Sequence, residues 1–179
     1  MLASADLNGD GLLDLVAASA VFDGPTYLTV LLGTAGGGYT SHDVQTVDAT
    51  PSAMQLLDLD DDGDLDLVTV RPEADSIRVY QQVEMGIFRA SGAVPTLRFP
   101  EVLASGDLDS DGRMDLVVRR YWGPRLAVHL VAPGGGLGPA REFPIEPFEP
   151  FNPREMAITD VTGDGRADLV LELSISIDV

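Results

Sequence analysis

The sequence predicts an all-β protein assembled from repeated four-stranded antiparallel sheets. Three observations carry this reading: four segments that align without gaps, strand-length apolar runs on either side of each, and Gly or Pro interrupting every window long enough for a helix. The segments are "DLNGDGLLDLV" from Asp6, "DLDDDGDLDLV" from Asp58, "DLDSDGRMDLV" from Asp107 and "DVTGDGRADLV" from Asp160, spaced by 52, 49 and 53 residues. Such a period belongs to propeller blades rather than helical solenoids, so each unit reads as one small sheet.

In chain order, the first unit covers about residues 1–49. It runs from "MLASADL" through the acidic loop into "LDLVAASAVF", then "YLTVLLG" and, past a Gly-rich break, "YTSHDVQTV". The second, about 50–98, repeats this with "SAMQLLDL", "LDLVTV" and "SIRVYQQV". The third, about 99–151, has "EVLASGDL", "MDLVVRRYW", "RLAVHLVA" and the extended piece "AREFPIEP". The last, 152–179, holds only the hairpin of "REMAITDV" and "ADLVLEL". Three and a half blades give about 14 strands, a partial β-propeller, since a closed seven-bladed ring needs about twice as many. Completion by the rest of a longer protein is the preferred reading, and self-association of two copies is the other. Residues 143–153, "FPIEPFEPFNP", read as a stiff linker between the third and fourth units.

Composition narrows the partners. The 179 residues are 45% hydrophobic, enough for a core, and their 29 acidic against 11 basic residues give a net charge of -18. That balance disfavours nucleic acid and anionic membrane as partners and favours cations. All 11 basic residues are arginine, and the absence of cysteine excludes disulfides and thiolate chemistry. No apolar run approaches the roughly 20 residues of a membrane span. The start, "MLASADLNGDG", has neither a basic nor an apolar signal region. The protein is therefore expected either to stay inside the cell or to carry its export signal outside these residues.

The four loops have the chemistry of a hard cation site. Oxygens at positions 1, 3, 5 and 9, a carbonyl at 7 and a turn glycine at 6 converge on one point. The first loop offers Asp6, Asn8, Asp10, the carbonyl of Leu12 and Asp14; the second offers Asp58, Asp60, Asp62, the carbonyl of Asp64 and Asp66. The third offers Asp107, Asp109, Asp111, the carbonyl of Arg113 and Asp115; the fourth offers Asp160, Thr162, Asp164, the carbonyl of Arg166 and Asp168. Oxygen-only ligation by flexible carboxylates and carbonyls suits Ca2+ over Mg2+, and up to four ions are expected. An EF-hand needs Glu at position 12, where Ala17, Thr69, Val118 and Leu171 stand instead. The second and third loops should bind most tightly, the first less so with Asn8, and the fourth least with Thr162.

The "DxNxDGxxDLV" loop, followed by "VLLGTAGGGY" at 30–39 and weaker echoes in "VYQQVEMGIF" and "VHLVAPGGGLG", resembles the FG-GAP-like, or VCBS-type, calcium-binding repeats. These occur in bacterial surface and secreted proteins and are related to the blades of integrin α-subunit propellers. The resemblance covers essentially the whole chain. It implies a propeller, commonly seven-bladed, with calcium in the first hairpin of several blades and an extracellular or cell-surface setting.

No catalytic constellation emerges. There is no Gly-x-Ser-x-Gly elbow, Walker loop or His-Glu-x-x-His motif, and the carboxylates are committed to the loops. His42 reads as a surface residue and His129 as a partly covered strand position. "RRYWGPR", residues 119–125, sets Arg120, Tyr121 and Trp122 on a connection between strands as a candidate ligand-binding surface. The chain is therefore expected to be a noncatalytic scaffold or adhesion module of a larger extracellular protein, its protein or glycan ligand unidentified. The alternatives are a calcium-dependent, lectin-like propeller and an accessory domain of a secreted hydrolase or lyase.

Overall fold

The computed structural model describes residues 1–120, 123–145 and 156–171. Among them, the first sheet holds β1 (Leu2–Ala5), β2 (Asp14–Ala20), β3 (Thr26–Gly33) and β4 (Tyr39–Val47). The second holds β5 (Ala53–Leu57), β6 (Asp66–Arg71), β7 (Ser76–Glu84) and β8 (Ile87–Pro95). The third holds β9 (Pro100–Gly106), β10 (Asp115–Arg120), β11 (Arg125–His129) and β12 (Arg141–Pro144). The fourth is the hairpin of β13 (Met156–Thr159) and β14 (Asp168–Leu171). Each sheet is ordered as its strands run along the chain, and every pairing is antiparallel. The protein is all-β, about three and a half blades with no closed ring, and a single 3-10 turn at Pro72–Ala74 is the only helical piece among the described residues.

The sheets stack face to face, and alternation along each strand assigns residues to one neighbour or the other. Between the first and second sheets, Val16, Ala18, Leu28 and Val30 pack with Met54, Leu67, Tyr80 and Phe88. Between the second and third, Val68, Val70, Ile77 and Val79 pack with Leu103, Leu116, Val118 and Val131. Burial records the difference between an inner and an end sheet. In β6 and β10 the first five residues are all buried, because both faces are covered; in β2 buried and half-buried residues alternate, because one face has no neighbour among the described residues. Gly106 marks a close approach between the third sheet and the half-sheet, since an added Cβ would run into the Ile158 side chain.

Polar clamps tie successive sheets at their rims. Asp48, just after β4, accepts hydrogen bonds from Arg71 Nη1 at 2.7 Å and from the Tyr80 hydroxyl at 2.8 Å. Gln45 donates to the Gly86 carbonyl and accepts from the Phe88 amide, and His42 Nε2 lies 3.0 Å from the Met85 carbonyl. His42 is exposed, as the sequence suggests, yet it serves this inter-sheet contact.

His129 differs from its expected partial cover: it is fully buried, with Nδ1 3.0 Å from the Gly138 carbonyl and Nε2 2.9 Å from Thr96 Oγ1. Two satisfied ring nitrogens make that burial affordable, and desolvation holds the imidazole pKa below its usual value. The arginine segment also sits differently from its expected place on a connection. Arg119 and Arg120 end β10, Arg125 opens β11, and Arg119 is 1% exposed.

Candidate metal sites in the acidic hairpin loops

Each acidic loop joins the first two strands of its sheet, so all four lie at equivalent places in the repeat. Glycine at position 6 is required by geometry: Gly11, Gly63, Gly112 and Gly165 have φ of 83, 92, 90 and 83 degrees, a region closed to most side chains. That turn aims successive backbone amides inward at the position-1 carboxylate. Asp6 accepts from Gly9, Asp10 and Gly11, Asp160 from Gly163, Asp164 and Gly165, and Asp107 from Asp111 and Gly112. The Gly11 and Gly165 amides are the foremost cause holding Asp6 and Asp160 below the ordinary carboxylate range.

Position 5 makes a second recurring contact, its Oδ1 accepting the amide two residues on: Asp10 from Leu12, Asp62 from Asp64, Asp111 from Arg113, Asp164 from Arg166. Position 9 anchors the loop to the sheet. Asp14, with no exposed surface, accepts from the Leu7 amide in its own loop and from Gly33 at the end of β3. Asp115 does the same with Leu108 and Val131, and Asp168 accepts from Val161 and Thr162. In the first and third loops the ninth residue is therefore a brace between loop and sheet as well as a candidate ligand, a double role that spacing alone did not reveal.

The structure brings three carboxylates together in two of the loops. Oxygens of Asp58, Asp60 and Asp62 lie within 4.8 Å of one another, and so do those of Asp107, Asp109 and Asp115. In the first and fourth loops position 3 is Asn8 or Thr162, which removes one carboxylate from the set. Asn8 instead bonds Asp10, its Nδ2 donating at 3.1 Å and its Oδ1 accepting the Asp10 amide at 3.0 Å.

The second loop has the most acidic surroundings. Asp58 Oδ2 accepts the Gly63 amide and Asp60 Oδ2 accepts Gln81 Nε2, while Oδ1 of each is buried without a hydrogen-bond partner. Asp66, 2% exposed, accepts the Gln82 amide at Oδ1, and its Oδ2 makes no hydrogen bond. Burial, and behind it the charges of Asp60 and Asp62, push the Asp66 pKa up to about 6 against the pull of the Gln82 amide and, more weakly, the Leu59 amide. In the third loop Asp109 is also raised, by desolvation and by Asp111 and Asp115. There the Arg113 guanidinium bonds Asp111 and also donates to the Val131 carbonyl, so one position-5 charge is answered by a cation of the chain itself.

Of the suggested ligand surface, Tyr121 and Trp122 lie outside the described residues. Arg120 is half-buried, and its guanidinium lies over Gly123, where it would meet an added Cβ.

A stack of four-stranded sheets with an acidic loop in the first hairpin of each defines the chain as a repeat protein of the propeller class. The FG-GAP-like repeat matches residues 6–69, 58–118 and 107–171, and the chain belongs to that family. Among solved structures, it is similar to BBS1N in a crystal structure of its complex with ARL6DN, soaked with lead, at 15% identity and a TM-score of 0.55. That match covers 97% of this chain and 54% of the other, so the chain spans about half the length of the protein it resembles. A weaker likeness, TM-score 0.37 and 19% identity, is to the Photorhabdus luminescens Tc holotoxin pore, covering 94% of this chain and 11% of that one. No curated protein matches the chain.

Proposed function

We propose that the chain is a noncatalytic, calcium-stabilised propeller segment that serves as a scaffold or protein-interaction and adhesion module of a larger extracellular or cell-surface protein. The observation that supports calcium is the second loop, where buried oxygens of Asp58, Asp60 and Asp66 have no hydrogen-bond partner. An unanswered buried carboxylate is costly, and a divalent cation answers several at once. The donor set fits the ion: side-chain oxygens of Asp58, Asp60, Asp62 and Asp66 with the Asp64 carbonyl, and their counterparts in the third loop. Bound there, calcium would supply charge neutralisation and a cross-link between the first two strands of the sheet. Millimolar calcium outside the cell keeps even modest sites filled, and an ion at about 100 times its Kd adds about 2.7 kcal/mol of stability.

The test is a calorimetric calcium titration of chelator-treated protein, with thermal unfolding followed on the same samples. Two tighter sites from the second and third loops, weaker ones from the first and fourth, and a rise in Tm are expected. A folded chain that binds no calcium would remove the metal reading and leave a metal-free scaffold.

A further inference from the structure

The Gly-rich stretch "APGGGLG", residues 132–138, joins β11 to β12. It is a closed turn: the Ala132 amide donates to the Gly136 carbonyl at 2.8 Å, the Gly135 amide donates to the Ala132 carbonyl at 3.0 Å, and Val131 and Leu137 bridge at its base. The first unit closes its β3–β4 turn in the same way, the Thr34 amide donating to Gly38 and the Gly37 amide to Thr34. Gly37 and Gly135 are therefore counterparts, with φ of 80 and 89 degrees. Their surroundings differ. Among the described residues nothing lies within 4 Å of a Cβ added at Gly37. At Gly135 that atom would lie 2.9 Å from Asp60 Cα and 3.1 Å from the Leu59 carbonyl oxygen, and would run into the Asp60 side chain. Val131 and Leu137 also pack against the core that holds Leu59, which is 2% exposed. The turn of the third sheet thus lies on position 3 of the second sheet's acidic loop.

This contact accounts for the state of Asp60. One of its oxygens accepts from Gln81 Nε2 at 2.9 Å, and the other is buried with no hydrogen-bond partner. The first loop offers the comparison. The turn that the second sheet sends toward the first is only Met85 and Gly86, and Gly86 packs on His42 and Val30; Asn8, at position 3, is exposed where Asp60 is half-buried. A buried oxygen without a donor calls for a cation, and Asp66, 2% exposed with an unbonded Oδ2, makes the same demand from position 9. At its base the turn is fixed in its own sheet, where Asp115 accepts the Val131 amide at 2.8 Å.

We infer that the β11–β12 turn is the outer wall of the second metal site, so that a calcium ion bound there clamps the third sheet to the second. The inference rests on the calcium reading of the loops and adds to it a positioning residue, Gly135, which supports Asp60 from across a sheet-to-sheet contact. The ion removes the unanswered charge of Asp58, Asp60 and Asp66 from beside the Leu59 contact, which lets the turn close over the loop. Closure and ion binding therefore favour each other to the same degree.

Amide exchange of the 179-residue chain, in chelator and in calcium, tests the clamp. Calcium should slow the Ala132 and Gly135 amides by about tenfold or more. Asp58→Asn, in the second sheet, should abolish this protection of the third sheet's turn, and Asp107→Asn, in the third loop, should leave it. Calorimetry on the Asp107→Asn background, where the second loop holds the tight site, should show calcium weakened by about tenfold or more on adding Gly135→Ala. Gly134→Ala is the control for backbone strain: Gly134 has a φ of 81 degrees but meets nothing within 4 Å, and this variant should bind calcium like its parent. Calcium at the second loop that does not slow the turn, protection that survives Asp58→Asn, or equal binding by the Gly135→Ala and Gly134→Ala variants would overturn the clamp and leave the calcium site standing. A wild-type chain that binds no calcium would overturn both.

Discussion

Replacing Asp66 by Asn should change stability in opposite directions depending on calcium. The ionised carboxylate is 2% exposed, one of its oxygens makes no hydrogen bond, and Asp60 and Asp62 stand near it. Its pKa of about 6, against 3.8 for an ordinary Asp, makes the ionised form in the metal-free fold about 3 kcal/mol worse off than in the unfolded chain. Asn keeps an acceptor for the Gln82 amide and discards the charge. In chelator at pH 7, Asp66→Asn should therefore stabilise the fold by about 1–3 kcal/mol, the lower figure allowing for a weaker hydrogen bond. In millimolar calcium the same change removes a ligand oxygen and should destabilise. The pH dependence follows the same sign. The native state holds the Asp66 proton more tightly than the unfolded state, so this contribution is full below about pH 3.8 and is lost as pH rises through about 6. Urea unfolding of both proteins from pH 4 to pH 7, with chelator and with calcium, reads all of this. An Asp66→Asn protein that is less stable than wild type in chelator, or shifted equally in both conditions, would refute the reasoning.

Five further substitutions probe the stack. Gly106→Ala drives a methyl into Ile158 and should cost about 1–3 kcal/mol by urea unfolding, while Gly92→Ala, with nothing within 4 Å, should stay within about 0.5 kcal/mol. His129→Ala abandons two buried hydrogen-bond partners and leaves a cavity, an expected loss of about 2–4 kcal/mol. Because burial holds the His129 pKa low, its contribution is present above the unfolded value near 6.5 and is lost as pH falls through the folded one; urea midpoints at pH 7 and pH 5 compare the two. Asp48→Ala, partly exposed beside Arg71 and Arg78, should cost about 1 kcal/mol. A double-mutant cycle with Tyr80→Phe should return a coupling of at least about 0.5 kcal/mol through the 2.8 Å hydroxyl contact.

The loops were legible because their chemistry is local. Nine residues from Asp6 to Asp14, or from Asp58 to Asp66, carry both the candidate donor oxygens and the glycine that bends the chain around them, so spacing suffices to identify the loops. The differences among the loops were partly legible as well, since Asn8 and Thr162 are visible substitutions. What spacing could not supply is the surroundings. Gln81, which engages Asp60, lies 21 residues on, and Val131, whose amide holds Asp115, lies 16 residues on. The brace formed by position 9 depends on a third strand whose register no motif encodes. The amide at Gly33, Gln82 or Val131 is found only once β3, β7 or β11 is laid beside its neighbour.

By itself, then, the sequence determined the all-β class, the number of units, the antiparallel hairpin around each loop and the clustering of acidic residues in it, because period, alternation and turn glycines act within a few residues of one another. Only the tertiary structure decided which face of each sheet is covered. Leu15, Leu67 and Leu116 stand in the same repeat position with the same neighbours in sequence, yet the first is half-exposed and the other two are closed. Their fates differ because burial is a property of the neighbouring sheet. The same cause lets β10 hold Arg119 and β11 hold His129 in the interior, where the sequence alone suggested a surface connection and a partly covered strand.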